Sequence, residues 1–175
     1  MQNRIRAMQQ FRAGTSAYCV DNYIHWLQRG AMFFDADYQR EYVWEESEQQ
    51  AFLKAVVSGF PLGNVAIAKT TDWCEKEGPF LEVVDGKQRL TTLKLFITNV
   101  IPFVIDGTPL YWSELSRPEQ LAFGKTSLPA VTLNNASRDD MLNYFIVVNF
   151  TGVPQSEEHK LHVLKLVEGN ADDNS

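Results

Sequence analysis

An abrupt junction at Asp85-Gly86 narrows the choice of folds more than anything else in the sequence. Before it, Phe80-Leu81-Glu82-Val83-Val84 is an apolar run of strand length. After it, from about Lys87, apolar residues fall at Leu90, Leu93, Leu95 and Ile97, a helix that stops before Pro102. A strand that turns straight into a helix presents free backbone amides and the positive end of the helix dipole, and such junctions bind phosphates. Gly86 permits a tight turn and close approach of the backbone. Lys87 and Arg89 add positive charge, and Arg grips phosphate oxygens with two N–H groups. Asp85 is suited to hold a metal ion or orient a water, Gln88 to orient a water by hydrogen bonding, and Thr91 and Thr92 offer hydroxyls. The residues alone leave a second reading open, in which Asp85 caps the helix and Lys87 and Arg89 are solvated.

The remaining elements follow from periodicity and punctuation. Residues 1–14 read as a frayed polar arm. Helical spacing over 16–29 (Tyr18, Val20, Tyr23, Ile24, Leu27) ends at Gly30. The segment Phe33–Tyr38 reads as extended. Ser47 precedes a helix carrying Phe52, Leu53, Val56 and Val57 that ends at Gly59, and Phe60-Pro61-Leu62-Gly63 is a turn. Val65-Ala66-Ile67-Ala68 pairs with the strand at 80–84 as a hairpin with a long loop. Residues 103–117 read as loop or short strands, Glu119–Phe123 as a short helix and Ala130–Leu133 as a strand. Ser137 caps a helix through Asn149, with Asp139 and Asp140 in its first turn. Ser156 caps a last helix through Leu166, and an acidic tail over 168–175 reads as disordered. The expected organisation is an arm (1–15), a single domain (16–167) and that tail.

Composition bounds the function. At 175 residues and 45% hydrophobic, the chain suits one well-cored domain. No apolar run approaches the roughly 18 residues that cross a membrane, and Met1-Gln2-Asn3-Arg4-Ile5-Arg6 lacks a signal peptide's apolar run, so a cytoplasmic protein is expected. A net charge of −6 disfavours direct DNA binding through phosphates. Cys19 and Cys74 read as free thiols. Gly124-Lys125-Thr126 imitates the end of a Walker A motif, but Glu119 stands where that motif requires Gly. His159 and His162 lack a third ligand nearby and read as a helix surface.

A second cluster, Tyr38-Gln39-Arg40-Glu41-Tyr42-Val43-Trp44, gathers aromatic rings around an Arg. Rings stack on a base and Arg reaches a phosphate; alternatively the rings are core residues and Arg40 meets a carboxylate. In order along the chain come this Gln-Arg segment with its Tyr-x-Trp, then Gly59-Phe60-Pro61-Leu62-Gly63, then Asp85-Gly86-Lys87-Gln88-Arg89-Leu90-Thr91-Thr92-Leu93, then Val148-Asn149-Phe150-Thr151-Gly152-Val153-Pro154. Together they resemble the DUF262 family, the N-terminal domain of GmrSD and SspE-type restriction enzymes, over residues 16–165.

The resemblance implies a ParB/sulfiredoxin-like α/β fold, a small mixed sheet flanked by helices in a single domain. It implies nucleoside triphosphate binding, with a divalent metal such as Mg2+, and phosphohydrolase or phosphoryl-transfer activity. By carry-over, Arg40 and Arg89 contact phosphates, Asp85 and Gln88 position a metal-bound or attacking water, and Gly86 lets phosphate approach. Asp85, Gln88 and Arg89 are thus the expected catalytic residues, with Asp85 also the metal ligand. Tyr38, Gln39, Arg40, Trp44, Gly86, Lys87, Thr91 and Thr92 are the expected phosphate and nucleotide contacts. Lys87 departs from the family's Gln, and there is no His-Asn-His pattern of the nuclease domain that larger relatives carry. Three functions are weighed: an NTP hydrolase; a non-catalytic nucleotide- or protein-binding regulator of a phage-defence or counter-defence system, alone or as a homodimer; and a DNA-nicking ParB-like nuclease.

Overall fold

The computed structural model describes residues 13–34, 36–69 and 78–150, together with Leu161 and Lys165, both helical. The expected acidic tail, Cys74, His159, His162 and the rest of the helix expected over 156–166 lie outside the described residues.

The order of elements is β1 (Ala13–Ser16), α1 (Val20–Gln28), β2 (Met32–Phe33), α2 (Glu46–Val57), β3 (Val65–Lys69), β4 (Leu81–Asp85), α3 (Lys87–Ile97), β5 (Phe103–Ile105), β6 (Thr108–Leu110), α4 (Arg117–Gly124), β7 (Ala130–Asn134) and α5 (Arg138–Phe150), with a 3-10 turn at Trp112–Glu114. Five strands form one mixed sheet in the order β1-β7-β3-β4-β2. The β3·β4 and β1·β7 pairs are antiparallel, whereas β3·β7 and β4·β2 are parallel. This is the single mixed α/β domain expected, with helices on both faces.

Alternation along the strands sends side chains to two cores. Val65, Ile67, Leu81, Val83 and Ala130 join one face, with residues of α1, α2, α3 and α4. Ala66, Ala68, Val84 and Leu133 join the other, against Leu142 and Phe145 of α5. Because both faces are covered, β3 reads as a continuous apolar run rather than an alternating one. The small Ala66 and Ala68 leave room for α5 to lie close.

Helix starts are built as the sequence chemistry dictates, in one case at a different residue. Glu45 caps α2, its own amide accepted by Glu48, where Ser47 was expected to stand at the start. Ser116 and Glu119 cap α4 reciprocally, with Pro118 in its first turn. Ser137 and Asp140 do the same for α5: the Ser137 amide donates to Asp140 and the Asp140 amide to the Ser137 hydroxyl. The β5–β6 hairpin closes through Asp106-Gly107, both at positive φ (49° and 79°), the geometry of a type I′ turn. Gln50 fastens the hairpin to α2, donating to the Pro102 carbonyl and accepting from the Val104 amide, each at 2.8 Å.

Two expectations change. From Ala13 the presumed arm is an edge strand, paired with β7 from Ala13↔Leu133 to Ser16↔Ala130. Of the segment 33–38, read as extended, Phe33 belongs to β2, and the chain turns at 37–39.

Two fully buried tyrosines make stability sensitive to alkali. The Tyr23 hydroxyl donates to the Leu128 carbonyl at 3.0 Å, and that of Tyr38 to Glu82 at 2.5 Å. Burial, joined by Tyr18 for Tyr23 and by Glu82 for Tyr38, raises both above the ordinary 10.0. Above about pH 10 the unfolded chain loses these protons while the folded chain keeps them, so stability falls as pH rises. Urea unfolding between pH 8 and 11 should show that fall. Tyr38→Phe should flatten the alkaline slope by up to about 1.4 kcal/mol per pH unit; an unchanged slope would mean Tyr38 ionises in the fold.

Candidate functional site

The β4–α3 junction floors a cleft of about 180 Å³ lined by Gln39, Arg40, Trp44, Val84, Asp85, Gly86, Lys87, Gln88, Arg89, Phe145 and Asn149. The two sequence clusters, more than forty residues apart, therefore meet. Gly86 is the N-cap of α3 at φ 97°. A Cβ there would come within 2.6 Å of Val65 Cγ1, so the position excludes a side chain by space as well as by backbone angle. The first intrahelical bond runs from the Leu90 amide to the Gly86 carbonyl.

Gln88 and Arg89 reach in opposite directions from this turn. Gln88 is buried; its Oε1 accepts from the Val43 amide at 2.9 Å and the Trp44 amide at 3.2 Å, and its Nε2 donates to the Glu41 carbonyl at 2.9 Å. It thereby fixes the 41–44 segment that carries Trp44 to the cleft. Arg89 donates to the Leu62 carbonyl at 2.6 Å and the Asn64 carbonyl at 2.7 Å, and lies 3.8 Å from Asp85. Burial pulls its guanidinium below the ordinary value, while Asp85 and Tyr23 hold it up. Both residues line the cleft, and both spend hydrogen-bonding capacity on backbone.

Arg40 is exposed at the rim, and Lys87 is half-buried there. The Asp85 carboxylate is partly exposed and at 3.8 Å from Arg89 its ion pair is too long for a hydrogen bond. With Arg40, Lys87 and Arg89 against Asp85, the lining carries three positive charges and one negative, +2 in a chain of net −6. Gln39 is held by its Nε2, which donates to the carbonyls of Val83 and Val84, the second at 3.0 Å.

Three expected contacts stand elsewhere. Tyr38 is fully buried in the second core, its ring 5.3 Å from Phe145 and 5.4 Å from the Arg138 guanidinium. Thr92 is fully buried, its hydroxyl donating to the Gln88 carbonyl at 2.9 Å and lying 3.0 Å from the Tyr42 hydroxyl. Thr91 faces a separate hollow with Phe34, Tyr42, Lys87 and Lys94. Conversely, Val84, Phe145 and Asn149 line the cleft without having been singled out as site residues. The Asn-x-Thr-Gly stretch containing Asn149 was the one signal for them.

Fold and cleft define a mixed α/β domain whose concave site lies at a strand-to-helix turn. The profile of the GmrSD restriction endonuclease N-terminal domain matches residues 23–164, and the chain belongs to that family. No curated protein matches it significantly in sequence. Among solved structures it is similar to the C-terminally truncated chromosome-partitioning protein ParB from Caulobacter crescentus complexed with CTP-γ-S. The two are 11% identical with a TM-score of 0.43, over 81% of this chain and 56% of that one. The chain thus spans little more than half of that ParB chain. Among the described residues no helix is long and apolar enough to cross a membrane.

Gly86→Ala should cost at least about 2 kcal/mol, from left-handed backbone strain and the Val65 overlap together; thermal unfolding at wild-type temperature would show that the turn yields. Arg89→Ala strands two backbone carbonyls and should cost about 1–3 kcal/mol, so its urea midpoint should fall. An unshifted midpoint would free Arg89 for ligand binding alone.

Proposed function

We propose that this domain binds a nucleoside triphosphate by its phosphates at the β4–α3 turn. The observation that carries this reading is the side-chain-free backbone at Gly86 at the start of α3, flanked by Arg40 and Lys87. Amides at a helix start and two cations are the chemistry that holds a polyanion. A volume of about 180 Å³ is below the roughly 300–1,000 Å³ of sites that enclose a whole ligand. It accommodates the phosphate end and leaves sugar and base to the rim beside Trp44.

The residues also fit a divalent cation. Among the described residues no three His, Cys, Asp or Glu side chains gather to hold a metal by themselves. One carboxylate plus substrate phosphates is the usual provision for Mg2+, and Asp85 supplies that carboxylate. When bound, the cation supplies charge neutralisation of the phosphoryl oxygens. Arg40 and Lys87 orient the phosphates, and Gln88 and Arg89 keep the cleft walls in place.

Hydrolysis is the second reading, favoured by Asp85, whose carboxylate is at the cleft and poised to accept a proton from a water. It rests on Asp85 alone, because Gln88 and Arg89 are engaged with backbone. A regulator that binds without turnover uses the same site. Calorimetry with ATP, CTP, GTP and UTP in magnesium, beside phosphate release, separates the two. Arg40→Ala should weaken nucleotide binding by roughly tenfold or more, the loss of one charge-assisted hydrogen bond, with unchanged thermal unfolding because Arg40 is exposed. Lys87→Ala should weaken it similarly. A wild-type protein that is folded yet binds none of the four nucleotides refutes the reading. Binding in which both variants match wild type moves the phosphate away from this turn.

A further inference from the structure

Lys87 lines two concavities, and only one of them is the cleft at the β4–α3 turn. The other is the hollow that Thr91 faces, about 250 Å³ in volume, beside Phe33, Phe34 and Tyr42. Lys87, Thr91 and Lys94 recur at i, i+4 and i+7 and so share one face of α3. That face carries the hollow about 10 Å along the helix from the edge of the cleft. The 41–44 segment borders both concavities. Trp44 lines the cleft and Glu41 and Tyr42 line the hollow, while Gln88 holds the segment's backbone on α3.

The two ammonium groups of the hollow, on Lys87 and Lys94, stand against the Glu41 carboxylate, so it is no trap for a bare anion. The Lys94 ammonium lies 5.7 Å from the centre of the Phe34 ring, which holds its charge at the hollow. Three rings supply apolar surface on which a base stacks. Glu41 and Thr91 supply the carboxylate and hydroxyl that meet ribose hydroxyls. The cleft alone is smaller than sites that enclose a whole ligand, whereas cleft and hollow together reach that range. We propose that the hollow is the nucleoside subsite of the cleft. The phosphates lie at the β4–α3 turn, the ligand passes Lys87, and sugar and base sit among Phe33, Phe34, Tyr42 and Thr91. This rests on the phosphate reading above and takes the nucleoside from the open rim beside Trp44 into a walled hollow.

The probes are inorganic triphosphate, which has no nucleoside, and ATP, CTP, GTP and UTP, all in magnesium and read by calorimetry. At least one nucleotide should bind wild-type protein about 10-fold or more tighter than triphosphate, the contribution of a stacked base. Thr91→Phe fills the hollow and should bring the ratio of nucleotide to triphosphate affinity close to one. In the wild-type complex with that nucleotide, NMR should show NOEs from base protons to the Phe34 and Tyr42 rings. Triphosphate binding as tight as every nucleotide, a ratio unchanged in Thr91→Phe, or base NOEs to the Trp44 indole in place of Phe34 and Tyr42 would each overturn the subsite and leave the phosphate reading standing. If Thr91→Phe does not fold, the wild-type NOEs decide. Wild-type protein that is folded and binds neither triphosphate nor nucleotide overturns both.

Discussion

Gly86 has no room for a side chain, and everything that shapes the cleft is reached from it. Val65 of the neighbouring strand closes over the glycine from one side, which brings the start of α3 hard against the sheet. From that fixed point Gln88 holds the 41–44 segment and Arg89 holds the 62–64 turn. These two segments are far apart in the chain and contain no regular structure. One loop of the cleft lining, carrying Trp44, and the neighbouring 62–64 turn are thus tied to α3 by two adjacent side chains of a single helical turn. The same residues cannot be freely spent on a ligand without releasing the walls.

What was legible in the sequence was what is local. The hairpin of β3 and β4 was readable as two short apolar runs, and the helix after it from its periodic apolar residues, with Gly or Pro at the boundaries. The edge strands were not: β1 is Ala-Gly-Thr-Ser with no apolar signal, and β2 is two residues long. Their pairing depends on partners remote in sequence. The β5–β6 hairpin had a usable signal in Asp106-Gly107, which aromatic neighbours obscured. The mixture of parallel and antiparallel pairs has no local trace at all.

The site was legible in outline for the same reason and blurred for another. The motifs located the cleft, but adjacency in sequence was a poor guide to direction. Tyr38 and Gln39 are neighbours, yet the turn at 37–39 puts one in a core and the other in the cleft wall. Thr92 follows Gln88 by four residues and bonds its carbonyl inside the core rather than facing a ligand. Phe145 and Asn149 reach the cleft from a helix that begins beyond residue 137, a convergence only the packing of α5 on the second sheet face produces.

That helix is fastened along its length, by its cap and by Leu142 and Phe145 in the second core. Its first turn is tied by the reciprocal Ser137–Asp140 cap and by Arg138, which is paired with Asp37 and lies over the Tyr38 ring. Its far end is the part that enters the cleft. A helix of 13 residues is a rod about 20 Å long, so α5 joins the contacts at its capped first turn to the cleft lining at Phe145 and Asn149. Phe145 packs on the same Tyr38 ring that the Arg138 guanidinium covers, so cap, core and cleft lining are held by one rod.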